Sequence, residues 1–384
     1  MEKVKLGDIA TLINGDRGKN YPSQADITES GDVPFVNAGH LNGVDIDFTE
    51  MNYISQSKYN SLSSGKFQYG DILYCLRGSL GKKAKVSTTV SGAVASSLVI
   101  IRPNQEKVNC DYLMFALDSP SIREQLIKAN NGSSQPNLSA ASVRQYCIEL
   151  PTLDLQDKIV KKLSKLRSII THRKQQLEKL DELVKARFVE MFGDTEDIRT
   201  IAEICSIITD GTHQPPKFVE RGIPFLFVSN IVTNEITYNA EKFISEETYE
   251  ELYKRTPIEI GDIVLSTVGS YGHPAIVKTD RKFLFQRHIA YLKPIPSEIN
   301  SIYLHSAILS NDIQMQIKER VKGIAQKTLN LSEIRKITIP VAPMLLQEQF
   351  AAFVSQTDKS KVAVQKALDE AQLLFDSLMQ EYFG

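Results

Sequence analysis

The sequence predicts a mixed α/β (α+β) fold with two similar globular modules and two long helices. Three observations predict this class. From Gly70 onward the chain repeats itself at one offset, with a slight slip of register before it, the front of each repeat alternates short apolar runs with turn residues, and the back of each repeat carries a heptad pattern. We therefore expect two modules related by approximate symmetry, each followed by its helix.

The internal repeat sets the division of the chain. The stretch that starts at Gly70 is GDILYCLRGSLGKKAKV, and 191 residues later the stretch that starts at Gly261 is GDIVLSTVGSYGHPAIV, without a gap. The same shift carries Gln156 onto Gln347. Glycines and prolines, which set the backbone path, are kept at positions around which other side chains differ. We predict modules at 1–150 and 194–342, and helices at 151–193 and 343–384.

The front of each unit predicts strands and short helices. The apolar runs DILYCL and SLVIIRP in the first module, and DIVLSTV and HIAYLKP in the second, have the length and the flanking turn residues of strands. Residues 111–128 predict one or two helices with an interruption at Pro120, since proline disrupts a helix interior. Residues 300–318 match them in the second module.

The back of each unit predicts a coiled-coil helix of about 40 residues, or roughly 60 Å at about 1.5 Å per residue. Net charges of +4 over 153–193 and −3 over 344–384 favour pairing of the two helices with each other, and an antiparallel pair would place the modules at opposite ends of a rod. The alternative is two helices that each pack on their own module. The predicted core positions are Ile159, Leu163, Leu166, Ile170, Leu177, Leu180, Val184, Met191, Phe350, Val354, Val364, Leu368, Ala371, Phe375, Leu378 and Tyr382, and the polar exceptions are Arg173, Arg187, Thr357 and Lys361.

Composition limits the classes of function. With 45 basic and 46 acidic residues, any surface for nucleic acid must be a local patch. No segment reaches the roughly 18 uninterrupted apolar residues of a membrane span, and the N-terminus lacks a signal-peptide core. The four cysteines are scattered, which argues against a disulfide framework or a zinc site and favours a cytoplasmic location.

The motifs of common enzymes fail on spacing. The run Gly78–Lys83 lacks the glycine spacing and the hydroxyl of a phosphate-binding loop. The run HQPPKF from His213 lacks the polar first residue of the tetrapeptide in DNA amine methyltransferases, and its aromatic residue comes one position late. The chain has no dinucleotide-binding glycine motif and no metal-binding histidine spacing. We therefore expect no catalysis, no metal and no cofactor on this chain.

Two variable modules, each followed by a long helix, together with DGTHQPPKF from Asp210 and LPTLDLQDKIV from Leu150, resemble the specificity subunits of type I restriction-modification systems. The resemblance covers the whole chain. It implies two target-recognition domains that each read half of a split double-stranded DNA site, and helices that set the spacing and dock two methyltransferase subunits. It also implies that restriction (helicase-nuclease) subunits join, and that S-adenosylmethionine binds to the methyltransferase partner.

Two alternatives from other classes remain open at this stage. The first is a coiled-coil scaffold with two protein-binding modules, and the second is a stand-alone DNA-modifying enzyme with an unrecognised site.

Base readout favours polar and cationic side chains on exposed turns. The best candidates surround the turns Gly78–Gly81 and Gly269–Gly272, and plain solvated surface is the alternative for each residue. The candidates in the first module are Arg17, Lys19, Asn37, His40, Arg77, Ser79, Lys82, Lys83, Gln135 and Asn137. Those in the second module are His213, Lys217, Tyr271, His273, Gln286, Arg287, His288, Gln326 and Lys327. Outward residues of the first helix, such as Lys162, Arg167 and Lys174, are candidates for partner docking.

Overall fold

The computed structural model describes residues 2–130, 136–323 and 327–384. Its contacts divide the chain into two compact units. The first unit contains Met1–His172 and Ala367–Gly384, and the second contains Arg173–Lys366. Within the described ranges, no helix is both long enough and apolar enough to cross a membrane.

The first unit combines three sheets with short helices. A four-stranded antiparallel sheet has the order β2-β9-β6-β7, a second has the order β4-β3-β8-β5 with β3 and β8 parallel, and β1 pairs with β10. The strands are β1 Glu2–Lys5, β2 Ala10–Asn14, β3 Val33–Val36, β4 Tyr53–Ile54, β5 Lys66–Phe67, β6 Ile72–Cys75, β7 Lys83–Lys85, β8 Gly92–Val94, β9 Leu98–Pro103 and β10 Cys147–Leu150. The helices are α1 Leu6–Ile9, α2 Gln56–Ser61, α3 Cys110–Ala116, α4 Pro120–Ala129 and α5 Ala140–Arg144, with 3₁₀ turns at Gln24–Asp26 and Ala38–His40.

The second unit has the same plan. Its sheets have the orders β12-β18-β15-β16, β14-β13-β17 and β11-β19. The strands are β11 Ile198–Thr200, β12 Cys205–Asp210, β13 Ile223–Leu226, β14 Lys242–Ile244, β15 Ile263–Ser266, β16 Pro274–Ile276, β17 Leu284–Phe285, β18 Ile289–Pro294 and β19 Thr338–Pro340. The helices are α7 Ile201–Ile204, α8 Glu246–Tyr253, α9 Ser301–Ile308, α10 Asn311–Arg320 and α11 Leu331–Ile334, with a 3₁₀ turn at Val228–Asn230.

The long helices are α6, Leu153–Phe192, and α12, Met344–Phe383. Each is divided between the two units, and the two run antiparallel within each unit. In the first unit Lys162 contacts Tyr382, and Arg167 lies over Phe375. In the second unit Asp181 pairs with Lys361 at 2.5 Å, and Phe188 packs on Phe350. The predicted fold class and the antiparallel pairing are confirmed, and helices packed only on their own modules are excluded.

The heptad positions face the packed side of these helices. Every predicted core position on α6 and α12 is buried or half-buried, and so are the four polar exceptions. The buried stripe is wider than the heptad, because Phe188, Phe192, Met379 and Phe383 are buried as well. These four side chains join the cores of the globular modules, so each helix is packed on more than one side.

One ion pair between the long helices runs against their net charges. Where an ion pair does join them, Lys361 with Asp181, the cation lies on the acidic helix and the anion on the basic one. The contacts that carry the pairing are aromatic and aliphatic, such as Phe188 and Phe192 on Phe350.

A buried glutamine fastens each long helix to its module. Gln156 is 0% exposed, and its Oε1 accepts the Asn109 N–H at 2.8 Å. Its Nε2 donates to the carbonyls of Lys107 at 3.1 Å and Pro151 at 2.8 Å. Gln347 repeats this arrangement in the second unit, where its Oε1 accepts the N–H of Asn300, the residue that caps α9. The repeat thus preserves the helix-to-module joint.

Candidate nucleic-acid interface

The glycine turn of the first module lies beside the loop that precedes α5. Gly78 and Gly81 both have φ of +79°, a left-handed conformation that favours glycine. The Gly78 N–H donates to the Pro136 carbonyl at 3.3 Å, and a β-bridge joins Arg77 to Asn137. Two candidates that are 60 residues apart in sequence therefore lie side by side.

Two further loops meet this turn. The Leu76 N–H donates to the carbonyl of Ser97 at 2.8 Å, which brings in the turn between β8 and β9. An Arg17 Nη atom donates to the carbonyl of Ser96 at 3.2 Å, which brings in the loop after β2. We call residues 15–17, 76–78, 95–98 and 136–138 the first loop cluster. It places Arg17, Arg77 and Asn137 on one surface.

The second module repeats these backbone contacts. The Gly269 N–H donates to the Lys327 carbonyl at 3.1 Å, and the Thr267 N–H donates to the His288 carbonyl at 2.9 Å. The Arg287 N–H donates to the Thr212 carbonyl at 3.0 Å, and a β-bridge pairs Thr212 with Gln286. We call residues 211–213, 267–269, 286–289 and 327–329 the second loop cluster. It contains five of the predicted candidates, His213, Gln286, Arg287, His288 and Lys327.

The two loop clusters share a backbone frame and differ in side chains. Arg77 corresponds to Val268 and Ser96 to Arg287 at the offset of 191, and Asn137 corresponds to Thr328. Gly15 and Gly211 are equivalent, because their N–H groups donate to the carbonyls of Leu98 and Ile289. Arg17 and His213 each lie two residues after these glycines. The same frame therefore presents different hydrogen-bonding groups in the two modules.

Several cations at or near the loop clusters have no carboxylate partner in the described part of the chain. Among the described residues, no carboxylate pairs with Arg77 or Lys19 in the first module, nor with Lys217, Arg287 or Lys327 in the second. Some cations elsewhere in the modules are neutralised, for example Arg102 by Asp71 at 2.8 Å. Beside Arg287, burial and that positive charge lower the pKa of His288. Uncompensated positive charge at these loops suits a polyanionic ligand.

Three predicted DNA contacts have structural roles. Lys83 is 2% exposed and pairs with Asp118, and burial lowers the pKa of its ammonium group. His40 is buried and bonds to the Asn37 N–H and the Glu50 carbonyl through its two ring nitrogens. The Asn37 side chain accepts from the Gly39 N–H and so caps a 3₁₀ turn. The predictions for Lys83 and His40 were wrong, because sequence position alone does not reveal a buried partner, whereas Asn37 is half-buried and stays a prediction.

The remaining candidates are placed as follows. Ser79 is exposed and Lys82 half-buried on the first glycine turn, and Tyr271 packs on the core beside the second turn. His213 contacts Asp210 at 2.9 Å, and His273 is half-buried. Gln135 and Gln326 lie outside the described residues.

Of the candidates for partner docking, Lys162 and Lys174 are exposed. Arg167 is not free, because it stacks on Phe115 at 4.3 Å and pairs with Asp118 at 3.5 Å.

The residues that sequence reasoning missed are Ser96, Thr212 and Asn234. Ser96 and Thr212 supply backbone carbonyls to the loop clusters, and Asn234 contacts His273. The internal repeat could have found Ser96, since the offset of 191 aligns it with Arg287. In residues 2–130, 136–323 and 327–384, no group of three or more His, Cys, Asp or Glu side chains is placed to hold a metal ion.

Comparison with known proteins gives one family. The model of the type I restriction modification DNA specificity domain matches residues 1–181 and again 194–371. The chain is 24% identical over 287 residues to the EcoBI specificity subunit of Escherichia coli, an alignment that covers 66% of this chain and 60% of that protein. It is 22% identical over 377 residues to the MjaIX specificity subunit of Methanocaldococcus jannaschii, covering 91% and 85%.

Solved structures agree in fold. The S subunit of a type I restriction-modification system from M. genitalium matches with a TM-score of 0.60 at 16% identity, covering 100% of this chain and 96% of that one. A chain from a study of complex assembly and conformational transition of the type I system matches with a TM-score of 0.60 at 17% identity, covering 100% and 97%. The matches span both modules and both long helices.

Proposed function

Because this chain belongs to the type I restriction modification DNA specificity domain family, we propose that it reads a two-part DNA target, with one half-site per module. The chain carries no catalytic step itself in this proposal. Its relatives are named as specificity subunits of type I restriction enzymes, and both family-model matches fall on a module and its adjoining helix.

The observation that carries the proposal is the pair of loop clusters. Each brings four loops together through equivalent backbone hydrogen bonds, and each presents a different set of side chains. Base edges are distinguished by the pattern of donors and acceptors, whereas phosphates are contacted through positive charge. A shared frame with exchanged side chains suits two readers of different sequences, and the unpaired cations suit the phosphates around them.

The proposed partners are two methyltransferase subunits on the long helices, with restriction subunits joining that core. S-adenosylmethionine and the methyl transfer would belong to the methyltransferase partners. Exposed apolar side chains on α12 support a protein partner there, since Leu345, Val362 and Leu373 are 66%, 70% and 73% exposed.

Methylation mapping tests the proposal. The chain would be co-expressed with the methyltransferase subunit encoded beside it in a host free of other adenine methylation, and modified adenines would be mapped. We expect one bipartite motif, and exchange of residues 1–150 for the corresponding module of another family member should change one half of it only. Absence of a bipartite motif, or a motif unaffected by the exchange, would refute the proposal.

The alternatives predict other results. A protein scaffold would produce no motif, and a stand-alone enzyme would bind S-adenosylmethionine as the purified chain and methylate DNA without the partner.

A further inference from the structure

A left-handed asparagine lies beside the second glycine turn. Asn234 has φ of +63° and is the non-glycine residue with positive φ among the described residues. Its Oδ1 contacts the Nδ1 of His273 at 3.1 Å, and His273 directly follows the turn Gly269–Gly272. A left-handed conformation is costly for most side chains and is tolerated best by asparagine, aspartate and glycine. The residue type therefore fits both the backbone and the contact.

The turn that holds Asn234 is fixed on several sides. Its N–H donates to the Ile231 carbonyl at 3.0 Å, and its own carbonyl accepts from the Nε2 of His305 at 3.2 Å. The neighbouring Glu235 pairs with Lys278 at 3.2 Å, and Lys278 pairs with Asp358 of α12 at 3.5 Å. The Asn234 amide is thus held in one place relative to β16 and the long helix.

This contact sets the hydrogen-bonding character of His273. In the neutral imidazole one ring nitrogen donates and the other accepts. Because Asn234 Oδ1 can only accept, Nδ1 carries the proton and Nε2 keeps its lone pair. The backbone N–H of His273 is occupied by Ser266 Oγ at 2.9 Å. In the described part of the chain Nε2 has no protein partner, and it is not among the buried unpartnered atoms, so it reaches solvent.

We propose that His273 is a specificity-determining residue of the second module, which presents Nε2 as an acceptor to the exocyclic amino group of adenine or cytosine in the major groove. Asn234 is its positioning residue, because it fixes the tautomer. The amino groups N6 of adenine and N4 of cytosine are the base-edge donors in that groove, and an acceptor at the same place rejects guanine and thymine on the contacted strand.

The first module carries the opposite arrangement at the same positions. Under the offset of 191, His273 corresponds to Lys82. The segment of Asn234 aligns at an offset of 190, because the Asp47 N–H donates to the His40 carbonyl as the Thr237 N–H donates to the Asn230 carbonyl, and this places Val44 opposite Asn234. Valine has no side-chain hydrogen-bonding group, and lysine can only donate. The acceptor is therefore particular to the second module, which is expected if the two half-sites differ.

The inference rests on the proposed function, and the test uses the complex with the methyltransferase subunit and the target that methylation mapping identifies. Four variants are compared with the wild type, namely H273A, N234G, N234D and K82A. N234G keeps the left-handed backbone and removes the acceptor, whereas N234D keeps both. The probes are duplexes in which single adenines of the second half-site are replaced by purine without the 6-amino group, or single cytosines by the analogue without the 4-amino group.

We expect one such replacement, at a base other than the methylated adenine, to weaken wild-type binding by about tenfold in fluorescence anisotropy at mildly alkaline pH. H273A and N234G should lose that sensitivity, and N234D and K82A should retain it. The inference is overturned if the wild type tolerates every replacement, or if H273A and N234G respond as the wild type does. A wild-type complex without any bipartite motif would instead refute the proposed function. Melting temperatures of all variants distinguish loss of readout from loss of folding, since an unfolded variant loses affinity for every duplex alike.

Discussion

The joint at Gln156 supports a quantitative prediction. Gln156→Leu keeps a similar volume but removes one acceptor and two donors. The Pro151 carbonyl, which is bonded at 2.8 Å, is left buried and unpaired, at a cost of about 1–3 kcal/mol. The Asn109 N–H and the Lys107 carbonyl lie closer to solvent, so each adds about 0.5–1 kcal/mol. We expect the free energy of unfolding of the first unit to fall by about 2–5 kcal/mol.

Urea denaturation followed by circular dichroism measures this change. With a slope of about 2 kcal/mol per molar urea, the midpoint of the first unit should fall by roughly 1–2.5 M. Hydrogen exchange of the amides at 109–113 locates the effect, and Gln347→Leu should reproduce it in the second unit. Gln175→Leu, at an exposed position of the same helix, is the matched control and should change stability by less than about 0.5 kcal/mol. If Gln156→Leu lowers the free energy of unfolding by no more than this control does, the buried glutamine does not hold the helix on its module.

Three other predictions concern binding, packing and thiol reactivity. Arg77→Ala should weaken binding of the complex to DNA about tenfold and reduce the slope of log affinity against log salt by about 1. Fluorescence anisotropy across a salt series measures both, and unchanged binding would contradict the role of the first loop cluster. Phe383→Ala removes the buried ring whose centroid lies 5.1 Å from that of Tyr112. Urea unfolding should show that the free energy of unfolding of the first unit falls by about 3–5 kcal/mol, and a fall below about 1 kcal/mol would contradict this packing. Burial raises the pKa of the Cys110 and Cys205 thiols to about 12 and also raises that of Cys75. A colorimetric disulfide reagent should therefore react quickly with one thiol per native chain, that of the exposed Cys147. Two or more fast-reacting thiols would contradict this burial.

Local periodicity explains what the sequence could predict. The helix predicted at 151–193 is observed at Leu153–Phe192. Its ends could be predicted because the heptad pattern is uninterrupted by glycine or proline and stops at both ends of the helix. The predicted break at Pro120 is observed as a separate α4 that begins there, with Ser119 as its cap. The strand after Gly261 is observed at Ile263–Ser266. Each of these features depends on neighbours in sequence.

Contacts between distant residues explain what was missed. Lys83 was expected on an exposed turn, but Asp118, 35 residues away, pairs with it inside the fold. The extra width of the buried stripe on α6 comes from Tyr303 and Phe350, which pack on Phe192. The bridge of Arg77 to Asn137 joins two loops that each look like plain polar surface in the sequence. Pairing partners of this kind carry no periodic signal, so only three-dimensional contacts identify them.

The division of the long helices between the two units has a consequence for biosynthesis. The second unit is one continuous segment, Arg173–Lys366, whereas the first needs Ala367–Gly384 to complete its core. About 200 residues separate His172 from the end of the chain, and a ribosome adds about 5–20 residues per second, so the first module waits roughly 10–40 s for that segment. During this interval Tyr112 and Phe115 lack the rings of Phe383 and Phe375. The module that is made first is therefore the last to be completed.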